Sequence, residues 1–344
     1  MFYLWLKGFQ HTLLGKGVTA LSSETSSIIS GSPKYSITSH GRSRKTKAQK
    51  RLKPAQVLKI VDAVRTQLAA LPNVLEVEVR DGQDLTVVVC DPPAHEWSSL
   101  VSDTEIAFYT CRVPVTTYRR HARPIYDIVL TLFMYKLVYP NHVHLLRGNH
   151  ESQTCTRVWL QGRGQRDKYN VSIYNSFMTC FNYLPCCAVI NQRTFIVHGG
   201  LFNREGVTLQ ELNRMNRVTE PGEEPGEGLL AQMLWSDPTD MYGRHSSLRP
   251  FGCSFGPNVT EEFLGINHLQ MIIRSHEVRP NGYSVEHGGK LITVFSAPNY
   301  CQDTNQGGYL RLKGQYLDVQ FLQFQGVPSP PAKTYFQPPV CLLS

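Results

Sequence analysis

The chain has 344 residues, of which 41% are apolar, and a formal net charge of +8 at pH 7. That length is enough for one large core, or for a domain with a tail, and the apolar share is ordinary for a globular protein. No apolar stretch approaches the roughly 20 residues that a membrane-spanning helix needs, so a bundle of such helices is excluded.

The first 53 residues carry most of the charge. Lys7, Lys16, Lys34, Arg42, Arg44, Lys45, Lys47, Lys50, Arg51 and Lys53 face a single acid, Glu24. The middle of this arm, Ser22 to Ser43, is rich in Ser, Thr and Gly, a composition that favours disorder. Three readings stand: a solvated basic tail, an organelle transit segment, or a true start that is not Met1. The charges lack interleaved aromatic residues or a recognised motif, so no nucleic-acid partner is expected. The expected location is cytoplasmic or nuclear, or an organelle if residues 1–53 are a transit segment.

From Pro54 the pattern is globular. Val57, Ile60, Val61, Val64, Leu68 and Leu71 fall at helical spacing, which predicts an amphipathic helix over Pro54 to Ala70. Val74 to Val79 and Leu85 to Cys90 read as two strands around an Asp81-Gly82 turn. Further along, four β-rich runs each stop at a polar cluster. Val143 to Leu146 leads into Arg147-Gly148-Asn149-His150-Glu151, and Thr194 to Val197 into His198-Gly199-Gly200. Met271 to Arg274 leads into Ser275-His276-Glu277, and Leu291 to Phe295 into Ala297-Pro298-Asn299-Tyr300. Reactive groups collect at the carboxyl ends of strands in α/β folds, so Asn149, His150, His198, His276 and Tyr300 form one candidate constellation. Between these runs, Tyr169 to Asn182 and Leu229 to Leu234 read as helices, the second preceded by the Pro, Gly and Glu-rich loop Glu220 to Gly228. His287-Gly288-Gly289 is expected to be a structural turn rather than a ligand.

Gly148-Asn149-His150-Glu151, followed in order by the His-Gly-Gly at 198, Arg274-Ser275-His276-Glu277 and Ser296-Ala297-Pro298-Asn299-Tyr300-Cys301, resembles the phosphoprotein phosphatase family of serine/threonine phosphatases. From His142 to Val327 the wording is most similar to the catalytic domain of the family's five-type member. The resemblance implies a calcineurin-like α/β fold, a two-sheet β-sandwich flanked by helices, with the site where strand ends converge. It also implies two divalent ions, of manganese, iron or zinc, that activate a water against a phosphoserine or phosphothreonine of a protein substrate. On that basis Asn149, His198 and His276 match ligands of one ion. His150 matches the proton donor to the leaving oxygen, Arg249 an arginine that grips the phosphate, and Tyr300 a further donor. Phosphoprotein substrates and possible regulatory proteins are the implied partners. The tetratricopeptide repeats of the five-type member are not seen as a period in this sequence.

The same resemblance exposes a gap. After Cys90 the family continues with Gly-Asp-x-His-Gly, and later with Gly-Asp-x-x-Asp-Arg-Gly; neither is present. Counting back from Asp127 puts the second motif on Thr116 to Ala122, with Thr117, Arg120 and His121 where the family has two carboxylates and an arginine. Hard divalent ions need negative oxygen donors, and Asp91, His95 and Glu96 are the substitutes at hand. A second departure follows Glu151, where Ser152 to Arg166 lacks the family's Asn and Tyr-Gly-Phe run. The expected organisation is therefore an arm over residues 1–53, a metallophosphatase domain over 54–335 with an aberrant interval at 91–126, and a tail over 336–344. Three functional readings remain open: an active protein phosphatase, a pseudophosphatase that binds without hydrolysing, or a faulty translation of an active enzyme's gene.

The nine cysteines show neither zinc-like pairs nor a disulfide framework, which points to a reducing compartment and thiols in the core. Cys341-Leu342-Leu343-Ser344 matches a prenylation signal, with Ser favouring farnesyl; membrane attachment is expected only if Cys341 is so modified.

Overall fold

The computed structural model describes residues 52–89, 105–110, 123–156, 170–224, 228–300 and 303–326, with residues 88–89, 105–110, 123–125 and 127 described at the backbone only. The basic arm up to Arg51, the substitutes Asp91, His95 and Glu96, the segment Thr116 to Ala122 and the tail with Cys341 lie outside the described residues. The chain divides into two compact units, Met1–Ile60 and Val61–Ser344, and the sheets all belong to the second.

Helix α1, Pro54–Ala69, opens with proline in its first turn, where the missing N–H is not needed. Of the residues at helical spacing, Val57, Ile60, Val61, Val64 and Leu68 are buried, while Leu71 falls past the helix end and is half-buried. Its carboxyl end is closed by Arg217, whose Nη2 donates to Leu68 O at 2.9 Å and Leu71 O at 2.7 Å, satisfying carbonyls that a helix end otherwise leaves orphaned.

Strand β1, Val74–Val77, and strand β2, Asp84–Val89, lie either side of Gly82, whose φ of +80° suits the turn. They do not pair with each other. β1 joins β5, Cys187–Ile190, while β2 joins β3, Glu105–Thr110, and β13, Gly307–Lys313. The turn thus passes the chain from one sheet to the other instead of closing a hairpin. β3 lies inside the interval of foreign wording, where the sequence reading placed no strand. It runs parallel between β2 and β4, Val143–Leu146.

Helix α2, Arg123–Val138, precedes β4, the short helix α3, Gln153–Thr156, follows it, and α4, Val171–Asn182, leads to β5. α2 and α4 meet through aromatic rings, with Phe133 and Phe177 centroids 5.9 Å apart and Tyr126 and Phe177 5.3 Å apart. The remaining elements are β6, Thr194–Val197; α5, Leu209–Arg214; α6, Gly228–Trp235; β7, Asp237–Pro238; β8, Arg244–Ser246; β9, Cys253–Phe255; and α7, Pro257–Ile266. They are followed by β10, Met271–Arg274; β11, Tyr283–Glu286; β12, Leu291–Val294; and β14, Asp318–Phe324.

The strands form a six-stranded sheet in the order β1-β5-β6-β10-β12-β11, a five-stranded sheet in the order β14-β13-β2-β3-β4, and a small sheet β7-β9-β8. β5, β6 and β12 are buried along their whole length, which is why they read as continuous apolar runs rather than alternating ones. Strand pleating still sorts their side chains. Phe195 and Val197 join a cluster with Met233, Trp235 and Phe263 from the helices, while Ile196 joins Leu146, Leu85, Val87 and Leu310 between the two large sheets. Each such burial removes about 1.5–3 kcal/mol of apolar exposure, and the double-sided core fixes where the ends of β4, β6 and β10 emerge.

Five cysteines among the described residues, Cys155, Cys180, Cys186, Cys187 and Cys253, are buried free thiols, as expected of core residues. Burial pushes Cys186 up to about 11 and Cys180 up to about 12, so neither is a nucleophile at neutral pH. His287 sits in a single turn of 3-10 helix and bonds Thr260 Oγ1 and Thr239 O at 2.7 and 3.1 Å, a structural role. Among the described residues no helix is long and apolar enough to cross a membrane.

Candidate metal centre

The loop after β4 is held from behind by Arg147. Its guanidinium is buried and donates to the carbonyls of Glu151, Arg217 and Thr219 at 3.1, 3.0 and 2.8 Å, and to Asn182 Oδ1 at 2.7 Å. Gly148 N donates to Glu151 Oε2 at 3.0 Å, and Glu151 N to Gly148 O at 3.2 Å. These bonds close a tight turn with Asn149 and His150 at its tip, both buried.

The loop after β6 needs glycine for a reason of space. A Cβ on Gly199 would lie 2.6 Å from the backbone carbon of Leu234 at the end of α6, a contact that would force the helix away. Without it, Gly199 N reaches Met233 O at 2.8 Å, and His198 is fixed, fully buried, at the strand end. β6 and β10 run parallel, and their ladder continues past the strands with Ser275 N donating to His198 O at 3.0 Å. This brings the His198 and His276 rings to 5.4 Å between centroids. His276 has φ +78°, in the left-handed region that a side chain rarely adopts, and such strain persists only where the surroundings impose it. Trp235 packs edge-on against its imidazole at 5.6 Å.

Asn149 sits between the two histidines. His198 Nε2 lies 2.9 Å from Asn149 Oδ1, and His276 Nε2 lies 3.2 Å from Asn149 Nδ2. The other nitrogen of His276, Nδ1, lies 2.9 Å from Asp237 Oδ1. Asp237 also accepts from Arg274 Nη2 at 2.5 Å on Oδ1 and from Arg249 Nε at 2.8 Å on Oδ2. Arg274 is buried and completes its bonding with Glu277 at 2.7 Å, Gly199 O at 2.6 Å and Ser236 O at 3.2 Å. Burial alone would raise the Asp237 carboxyl, but the hydrogen-bonded His276, then Arg274 and Arg249, outweigh it and hold the carboxyl well below the usual range.

Of the residues read from the sequence, the structure therefore joins Asn149, His198, His276 and Arg249 in one hydrogen-bonded chain. His150 is the neighbour of Asn149 in that turn. Tyr300 is buried, its N–H bonded to Asn305 Oδ1 at 2.8 Å and its ring edge-on to Phe295 at 5.3 Å. Among the described residues no hydrogen bond ties His150 or Tyr300 into the chain. Asp237 and Arg274 were missed as site residues. The available signal was an Asp two residues past the apolar end of α6, and an Arg closing a strand whose other residues are apolar: buried charges of opposite sign require one another.

Three neutral donors from three separate elements thus converge. His198 Nε2 and Asn149 Oδ1, 2.9 Å apart, suit atoms sharing one first-row ion at about 2.1 Å, while His276 Nε2 faces the amide nitrogen of Asn149. The set fits a single divalent ion of borderline character better than a hard one, because it holds imidazole and amide but no carboxylate. Among the described residues no group of three His, Cys, Asp or Glu is placed to hold a metal ion.

The family model for calcineurin-like phosphoesterases matches residues 66–280. The chain is 46% identical over 208 residues to serine/threonine-protein phosphatase 5 of Homo sapiens, covering 60% of this chain and 41% of that protein. It is 39% identical over 284 residues to serine/threonine-protein phosphatase T of Trypanosoma brucei brucei, covering 80% of this chain and 58% of the relative. The chain spans about two-fifths to three-fifths of the length of these curated relatives. A solved structure of a protein serine/threonine phosphatase from Saccharomyces cerevisiae, with similarity to human phosphatase PP5, superposes with a TM-score of 0.72 at 28% identity. The match covers 82% of this chain and 92% of that one.

Proposed function

The chain belongs to the calcineurin-like phosphoesterase family, and from that premise we propose that it is a protein serine/threonine phosphatase, hydrolysing phosphoserine and phosphothreonine in protein substrates. The observation that carries this reading is the single polar chain from His198 through Asn149, His276 and Asp237 to Arg249, which sets an ion-binding group beside a cation suited to phosphate.

In this reading Asn149, His198 and His276 hold a divalent ion, with manganese, iron and zinc as the candidates. When bound, such an ion polarises a phosphoryl oxygen and acidifies water. Ligands of a second ion would have to come from the interval that holds Asp91, His95 and Glu96. Arg249 spends its Nε on Asp237, and neither of its terminal nitrogens makes a hydrogen bond among the described residues, so the planar fork that pairs well with phosphate oxygens remains available. Water oxygen bonds to phosphorus as the phosphorus–oxygen bond to the serine or threonine breaks, and the proton that the water sheds restores the one His150 gives up. His150 delivers the proton that the departing alkoxide takes up, and Tyr300 is a further donor to the phosphate.

A second reading, a phosphoprotein-binding module without turnover, is favoured by the all-neutral donor set. Metal content per chain, measured together with manganese-dependent hydrolysis of a phosphopeptide, separates the two. Two ions with turnover that is lost in Asn149→Ala supports the enzyme; one ion or none, without turnover, leaves the binding module.

A further inference from the structure

Asp237 is the point at which the two halves of the site meet. Its Oδ1 faces His276 Nδ1 and its Oδ2 faces Arg249 Nε, at 2.9 and 2.8 Å. Its side chain is only 12% exposed, and Arg274, fully buried, approaches Oδ1 from a third direction. A carboxylate accepts only, so the proton between Asp237 and His276 resides on Nδ1. That leaves His276 Nε2 as a lone pair, directed at the amide of Asn149. The carboxylate also takes Arg249 by Nε alone, which fixes the guanidinium plane while sparing both terminal nitrogens.

We propose that Asp237 is a positioning residue that couples ion binding to phosphate binding: one oxygen sets the tautomer and orientation of His276, the other aims Arg249 at the phosphoryl oxygens of a phosphate monoester. This rests on the reading of the site given above. Its consequence is reciprocal. Anything that draws Arg249 toward a phosphate redistributes the charge on Asp237 and is felt at the His276 ring, and a change in His276 is felt by Arg249.

The test uses the full chain, manganese(II) and inorganic phosphate as probes, and nitrogen-15 NMR of the imidazoles. Asp237→Asn keeps the volume and removes the charge. We expect it to erase the Nδ1–H signature of His276, to weaken manganese affinity by about 10- to 100-fold, and to weaken phosphate affinity at saturating manganese by roughly 10-fold. Arg249→Ala should weaken phosphate binding far more than manganese binding. In the unaltered protein, phosphate should shift the His276 Nδ1–H resonance, and that shift should vanish in Arg249→Ala; this arm stands even if Asp237→Asn fails to fold. An unchanged His276 tautomer and manganese affinity in folded Asp237→Asn, or a phosphate titration that leaves His276 unmoved, overturns the coupling. If His276→Ala also leaves manganese binding intact and Arg249→Ala leaves phosphate binding intact, the underlying site assignment falls as well.

Discussion

Arg147, behind the β4 loop, and Arg274, at the end of β10, both have fully buried side chains, yet they meet their acids on different terms. Arg147 spends its donors on carbonyl oxygens and an amide, and its nearest carboxylate, Glu220, stays 3.8 Å away. Arg274 lies within 2.7 Å of two carboxylates, Asp237 and Glu277. Glu220 and Asp237 have side chains exposed to nearly the same extent, 13% and 12%. Nevertheless burial raises the Glu220 carboxyl despite the neighbouring Arg147, whereas the cations around Asp237 overcome its burial and lower it. At similar side-chain exposure, then, the number and distance of the cations decide whether burial prevails. Arg147 braces a turn, and Arg274 maintains a charge.

Removing the charge-maintaining arginine should have the largest effect. Arg274→Met leaves Asp237 and Glu277 without their buried partner, and we expect a loss of roughly 3–5 kcal/mol of stability, measured by urea unfolding, with manganese binding lost in whatever remains folded. Arg147→Met strands three carbonyls instead of two carboxylates. It should lower stability by about 2–3 kcal/mol, and equal losses in the two variants would erase the distinction drawn above.

The strand that carries the Asn149 loop adds a pH dependence. His144 on β4 is lowered to about 3, by burial first and then by the charge of Lys136. Its folded value lies below its ordinary 6.5, so the unfolded chain binds the extra proton and stability falls as pH drops from 6.5 toward 3. Between pH 6.5 and 5 the loss from this residue is about 2 kcal/mol, and His144→Gln should remove that part of the acid slope in unfolding curves.

The smallest effect, and opposite in sign, is expected at Glu220. A carboxyl raised by burial favours the protonated form in the fold, so its unfavourable contribution grows as pH rises through its folded value. Glu220→Gln should be neutral or stabilising at pH 7 by roughly 0–1 kcal/mol, while Asp237→Asn destabilises; a clear loss in Glu220→Gln would show that Arg147 depends on that distant carboxylate after all.

Much of this was legible in the chain. Apolar runs that stop at Asn149, His198 and His276 marked strand ends, because a residue pair cannot be apolar on both faces of a sheet and then abruptly polar without leaving the sheet. Asp237 was not legible as a partner of His276, since the two lie 39 positions apart, across a small sheet and a helix whose packing alone sets their separation. Nor did the Asp81-Gly82 turn disclose that its flanking strands part company: local turn chemistry fits a hairpin and a sheet-to-sheet crossing equally well. β3 could be suspected from Ile106, Phe108 and their neighbours, but it stands within foreign wording and runs into no polar cluster like those that marked the other strand ends.

The sequence by itself determined the element types, the apolar interior and the identity of the donor atoms, because periodicity and side-chain chemistry are local properties. Only the tertiary structure decided that His276 turns one nitrogen to Asn149 and the other to Asp237, and that Asp237 spends its second oxygen on Arg249. Those choices depend on three buried cations and acids reaching mutual satisfaction in a low-dielectric interior, a balance that exists only when β6, β7 and β10 are already packed together.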